Sequence, residues 1–203
     1  MTNIEAIILA AGYSSRANAY KMTLPLGHMT VLEHMMTKFE GLISRVIIVA
    51  GFQAEIIQEE IAKISCKNTY SFEMKFIYNE NFNQGMFSSI QKGCHEVNAQ
   101  TFLLTPGDCP LVKKETVQLI AKQNGDVVIP SLNYKGGHPI KLSSDVKQKI
   151  IETDPTSNLR MVLANYKKNY LNVDDPGVLM DVDTPEDYQK AMEYYNTKMS
   201  FKT

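Results

Sequence analysis

At 203 residues the chain is long enough for one domain with a sizeable core, expected to span 1–203. Apolar residues make up 44% and charged residues 21%, an ordinary balance for a globular protein. A formal net charge of −1 gives no electrostatic reason to expect nucleic acid or an anionic membrane as partner, so any bound phosphate must be held by local donors.

The 3 cysteines, Cys66, Cys94 and Cys109, form no CxxC pair, which argues against a zinc site, and their odd number argues against a disulfide framework. No apolar run approaches the roughly 18 residues of a membrane span. The N-terminus enters a strand-like run without a basic stretch and cleavage site, so a cytoplasmic location is expected.

Short apolar runs alternate with helical patterns along the chain. Residues 4–10, 46–50 and 101–105 read as buried strands, with 74–78 and 126–130 as weaker candidates. Helical periodicity covers 31–39, 55–64, 86–97 and 114–123; Ile90, Cys94 and Val97 give the third of these an apolar face. This alternation predicts an α/β fold of mainly parallel strands flanked by helices. After Ile129 the pattern loosens. Residues 134–142 read as an irregular loop entering a strand, and 157–166 and 184–195 as helices. Thr184 suits the N-cap of the last helix, with Pro185 at its first position and Asp187 three residues after the cap.

Five segments carry candidate chemistry. The first strand empties into Leu9-Ala10-Ala11-Gly12-Tyr13-Ser14-Ser15-Arg16, followed by Lys21. Ligands of open α/β sheets bind at the carboxyl ends of strands, and small residues let backbone N–H groups approach a phosphate. Arg16 can fork onto phosphate oxygens and Lys21 adds a mobile charge. The dinucleotide fingerprint and the Walker pattern are both missing. The alternative is a surface turn beside two solvated cations. In Thr105-Pro106-Gly107-Asp108-Cys109-Pro110, Asp108 follows a strand and is placed either to ligate Mg²⁺ or to make an Asx-turn.

In the third segment, Asp181 and Asp183 alternate along a predicted strand, so either can add a second carboxylate; the alternative is a capping role. The fourth, Asn79 to Gly93, contains Gly85-Met86-Phe87-Ser88-Ser89 opening a helix, which suits either an anion or a simple serine cap. Gly137-His138-Pro139 belongs to a substrate loop or an ordinary turn.

Taken together, these motifs resemble the MobA-like NTP transferases: Leu-Ala-Ala-Gly-x-Ser-x-Arg with Lys five residues on, Asn79 six before Gly85, Ser88-Ser89, Gly107-Asp108-x-Pro110, Gly137-His138-Pro139, and Asp181-x-Asp183-Thr184-Pro185-Glu186-Asp187. Within them the chain is similar to the molybdenum cofactor cytidylyltransferases (MocA-like). The resemblance covers nearly the whole chain. It implies a Rossmann-like nucleotidyltransferase (GT-A-like) fold with a mixed sheet, and attack of a substrate phosphate on the α-phosphorus of an NTP with release of pyrophosphate.

By the same resemblance Leu9, Ala10, Ala11, Gly12, Asn79, Gly85, Ser89 and Gly107 border the nucleotide. Arg16 and Lys21 bind its phosphates and, with Asp108, carry catalysis. Asp108 with Asp183 holds Mg²⁺, and Gly137 and His138 contact the acceptor. Ala-Ala-Gly and Gly-His-Pro mark the cytidylyl branch, so CTP and a molybdopterin-type acceptor are implied, with a molybdoenzyme as downstream partner. The chain departs from the pattern at Arg16-Ala17-Asn18, where the family has Arg-Met-Gly, and around Thr153–Arg160. A transferase acting on a sugar phosphate or other phosphorylated acceptor, and a non-catalytic nucleotide-binding module, are the rival readings.

Overall fold

The structure is a computed structural model and describes residues 4–13 and 20–200. The strands are β1 (Ile4–Ala10), β2 (Pro25–Leu26), β3 (Met29–Thr30), β4 (Arg45–Ala50), β5 (Glu73–Tyr78), β6 (Thr101–Pro106), β7 (Val127–Leu132), β8 (Lys135–Gly136), β9 (Ile140–Ser143) and β10 (Lys168–Asn172). The helices are α1 (Val31–Thr37), α2 (Ala54–Lys67), α3 (Met86–Cys94), α4 (Lys114–Lys122), α5 (Ser144–Glu152), α6 (Leu159–Leu163) and α7 (Pro185–Ser200).

An 8-stranded sheet runs β10-β7-β9-β6-β1-β4-β5, with β8 paired to β7, while β2 and β3 form a separate hairpin. The pairs β6–β1, β1–β4, β4–β5 and β7–β10 are parallel. Strand β9 lies between β6 and β7 and is antiparallel to both, which makes the sheet mixed.

The apolar runs form strands because they are buried on both faces. Along β1, Ile4, Ala6, Ile8 and Ala10 face a core shared with α1, α2 and α4, through Leu32, Met35, Ile57, Val117 and Ile120. Ile7 and Leu9 face the opposite core, completed by Phe87 and Ile90 of α3, Val146 and Ile150 of α5, and Val162 of α6. Successive strand side chains alternate between faces, so a continuous apolar run fills both layers. Gly93 lets α3 lie directly on β1, since a Cβ there would meet Ile7 Cγ2 at 2.9 Å. A smaller cluster of Leu26, Leu111, Val182 and Ala191 fastens α7 to the hairpin side.

The structure differs from the sequence reading in its second half. Residues 181–183 form no strand; they lie in the irregular segment between the turn at Pro176–Leu179 and α7. The helix expected over 157–166 shortens to Leu159–Leu163, capped by Asn158 Oδ1, which accepts from the Met161 N–H at 3.0 Å. The last helix starts as its cap predicts. Thr184 Oγ1 accepts from the Asp187 N–H at 3.1 Å, and Asp187 Oδ2 accepts from the Thr184 N–H at 3.2 Å.

Candidate active site

Strands β1 and β6 are parallel neighbours, so their carboxyl ends open on the same edge of the sheet. The Gly107 N–H donates to the Leu9 carbonyl at 2.9 Å, carrying the β1–β6 pairing one residue beyond Pro106 and fixing Asp108 beside the end of β1. Gly107 packs closely against Met22, since a Cβ there would lie 2.8 Å from Met22 Sδ and the methionine would have to shift. The Val182 N–H then donates to the Asp108 carbonyl at 2.9 Å, which brings the acidic segment before α7 alongside.

Lys21 closes the group. Tyr20, just before it, is buried and donates its hydroxyl to the Ala10 carbonyl at 2.6 Å, anchoring the returning chain on the last residue of β1. From there Lys21 Nζ donates to Asp108 Oδ2 and, at 2.8 Å, to Asp183 Oδ1. Burial alone would lower the Lys21 pKa, but the charges and hydrogen bonds of Asp108 and Asp183 outweigh it and the net shift is upward. Lys21 is therefore cationic at neutral pH. Burial pushes the nearby Asp181 carboxyl upward, with Asp183 and Asp108 adding repulsion.

A cleft of about 300 Å³ extends from this charged end, lined by Leu9, Ala11, Gly12, Tyr13, Lys21, Met22, Phe82, Asn83, Gly85, Met86, Ser89, Pro106 and Asp108. Its far half is apolar. The half-exposed Tyr13 ring sits 5.2 Å from Phe52 and 5.4 Å from Phe82, so loops after β1, β4 and β5 meet in one aromatic wall. Gly12 and Gly85 leave open space, since a Cβ on either would meet nothing within 4 Å; the φ of +99° at Gly85 also favours glycine. A cleft with an aromatic, small-residue half and a charged end matches the two halves of a nucleotide.

Residues 6–170 match the model of the MobA-like NTP transferase domain. The chain belongs to this family. It is 29% identical over 196 residues to a molybdenum cofactor cytidylyltransferase of Escherichia coli, covering 96% of this chain and 98% of that protein. It is 26% identical over 213 residues to a probable molybdenum cofactor guanylyltransferase of Carboxydothermus hydrogenoformans, covering 98% and 100%. A solved structure of a nucleotidyl transferase from Methanothermobacter thermautotrophicus superimposes with a TM-score of 0.81 at 19% identity, over 98% of this chain and 100% of that one. This MobA-like chain is thus a nucleotidyltransferase on a mixed, mainly parallel sheet flanked by helices.

Of the residues singled out in the sequence, Leu9, Ala11, Gly12, Lys21, Gly85, Ser89 and Asp108 line the cleft together, and Asp183 joins them through Lys21. Arg16 lies outside the described residues. Ala10 turns its side chain into the core and contributes its carbonyl to Tyr20. Asn79 is 2% exposed and lies behind the cleft wall, its amide committed to Ser88, Ser89 and Asn81. Gly107 acts through its backbone and its lack of a side chain.

His138 sits at the same edge because β9 reverses direction and starts where β6 ends, with Ile140 opposite Leu104. Burial lowers the His138 pKa, against the opposing pull of Asp108 and a hydrogen bond to Leu104. Gly137 packs against Val178, where a Cβ would lie 2.0 Å from the carbonyl oxygen. The aromatic wall was not anticipated; aromatic residues at 13, 52 and 82 carry no spacing signal because three separate loops supply them.

Among the described residues no group of three or more His, Cys, Asp or Glu side chains can hold a metal ion. The pair Asp108 and Asp183 nonetheless suits a hard cation that takes its remaining ligands from phosphate and water, as Mg²⁺ does. No helix among the described residues is long and apolar enough to cross a membrane.

Proposed function

We propose that this nucleotidyltransferase moves CMP from CTP to the phosphate of a molybdopterin-type acceptor with Mg²⁺ as cofactor, within one domain spanning 1–203 and in the cytoplasm. The observation that carries the reading is the meeting of Lys21, Asp108 and Asp183 at the joint carboxyl end of β1 and β6. The named activities of the two relatives above support the acceptor class, and Ala10-Ala11-Gly12 with Gly137-His138-Pro139 supports CTP.

In this reading an oxygen of the acceptor phosphate attacks the α-phosphorus of the nucleotide, the bond to the bridging oxygen of the β-phosphate breaks, and pyrophosphate leaves. The attacking group is already anionic, so no general base is needed. Asp108 and Asp183 would hold Mg²⁺, which neutralises phosphate charge and polarises the phosphoryl group when bound. Lys21, kept cationic, offsets charge developing on the phosphoryl oxygens, and Arg16 adds a second cation. The aromatic half of the cleft, walled by Tyr13 and Phe82 and open above Gly12, receives the base. His138 would serve the acceptor on the reversed-strand side, with Gly137 supporting it through its close packing on Val178. A molybdoenzyme is the recipient of such a product.

The test is Mg²⁺-dependent pyrophosphate release measured over four NTPs and a panel of molybdopterin and sugar-phosphate acceptors, with the product identified by mass spectrometry. A CMP adduct of molybdopterin is expected. Transfer only to a sugar phosphate would replace the acceptor, and nucleotide binding without turnover on any acceptor would favour a binding module.

A further inference from the structure

Ser89 and Asn79 are equally buried, each 2% exposed, but only Ser89 lines the cleft; Asn79 lies behind it. The hydrogen bonds around Asn79 fix more than position. Asn79 Oδ1 accepts the Asn81 N–H at 3.1 Å, which sets the orientation of the amide. Its Nδ2 therefore faces α3 and donates one proton to Ser88 Oγ at 3.0 Å and the other to Ser89 Oγ at 2.9 Å. Both amide protons are committed.

Each serine must then direct its own hydroxyl proton elsewhere. Ser88 has acceptors, the carbonyls of Asn81 at 2.9 Å and Gly85 at 2.8 Å. Ser89 has none among the described residues, although its hydroxyl already accepts from Asn79. A hydroxyl that is accepting from an amide has its proton left to donate, and the cleft is the side of Ser89 where an acceptor can enter.

We infer that Asn79 is a positioning residue that turns Ser89 into an obligate hydrogen-bond donor toward an acceptor oxygen or nitrogen of the bound nucleotide. The inference rests on the proposed use of the cleft for an NTP and adds to it the polarity of one contact. It also accounts for an amide serving the site without touching the ligand. Replacing the amide by a carboxylate, in Asn79→Asp, reverses the polarity: both serines must donate to the new group, and the Ser89 proton turns inward.

The experiment measures CTP affinity by titration calorimetry and Tm in parallel for wild type, Ser89→Ala, Asn79→Asp and the double variant. Ser89→Ala is expected to weaken CTP binding by about tenfold, the loss of one hydrogen bond to the ligand, and to lower Tm, because one amide proton of the buried Asn79 loses its acceptor. Asn79→Asp is expected to weaken it similarly, and adding Ser89→Ala to Asn79→Asp to cost no further affinity, because the donor is already gone. Wild-type affinity in Ser89→Ala overturns the inference, as does full additivity in the double variant. If Asn79→Asp fails to fold, Asn79→Ala replaces it in the same cycle: weaker CTP binding that is not additive with Ser89→Ala supports the inference, and wild-type affinity in Asn79→Ala overturns it. Absence of CTP binding to the wild-type chain would instead count against the proposed function.

Discussion

Val182 donates its backbone N–H to the carbonyl of Asp108 at 2.9 Å. This single bond ties the segment before α7 to the end of β6, and the two side chains flanking Val182 take their places from it. Val182 itself is buried among Leu26, Leu111 and Ala191. Asp183 reaches Lys21, and Asp181 is left exposed beside them. The second carboxylate of the site is thus set by backbone pairing and by a buried valine.

Asp108→Asn and Lys21→Ala are expected to lower turnover by about 10²–10³ each while the protein still folds, the usual cost of losing one preorganised electrostatic contact. Initial rates of pyrophosphate release, with circular dichroism as the folding control, check this. Wild-type turnover in both variants would remove the triad from the chemistry.

Glu5 is the buried acid at the opposite end of β1. Its Oε1 takes Arg45 Nη2 at 2.9 Å and its Oε2 the Asn98 N–H at 2.7 Å, with the two side chains 5% and 13% exposed. Glu5→Ala leaves the guanidinium buried without its counter-charge and should cost about 3–5 kcal/mol in urea unfolding. Turnover per folded molecule should hold, because the residue lies at the far end of the strand.

Gly137→Ala places a Cβ against the Val178 carbonyl, the same oxygen that accepts the His138 N–H at 2.9 Å. Overpacking of this kind typically costs about 1–3 kcal/mol. A fall in Tm measured without acceptor present is the expected result. A change confined to the acceptor KM would mean that Gly137 matters through contact with the ligand.

Alkaline pH should weaken the fold. Burial raises the Tyr20 and Tyr70 hydroxyls from 10.0 to about 12 and the Cys94 thiol from 9.0 to about 12. The folded state therefore keeps these protons after the unfolded state has lost them, so stability is full below about pH 9 and falls between 9 and 12. The upward shift of Lys21 acts in the same direction, its ion pairs being lost as pH rises through its folded pKa. Urea midpoints measured across this window should decline, and the decline should be shallower in Tyr20→Phe.

The central fold was legible because β1, β4 and β6 are apolar on both faces, which makes each a continuous hydrophobic run. Strand β10 escaped notice for the opposite reason. It is an edge strand, Lys168–Asn172, that buries little and so has almost no pattern. Helix α5 was missed because it fully buries just two residues, Val146 and Ile150, with Ile151 partly buried beside them. In the site, Lys21 and Asp108 stood out as charged residues after strands and Asp183 as one of two carboxylates on an expected strand, but their meeting depends on strand order and on Val182. The exchange of hydrogen bonds behind Ser89 could not be foreseen, since a sequence holds no information on which way an amide points.

Strand β9 runs against its neighbours, and this gives the molecule two independently adjustable sides. On one, β1, β4 and β5 send their loops toward the Tyr13 wall; on the other, a chain entering β9 delivers His138 to the rim from the reverse direction. Lengthening the turn at Asn133–Tyr134, or rebuilding the approach to β9, alters what meets Asp108 from that side and leaves the Gly12 side as it is. A chemistry with two reactants can in this way change one and keep the other.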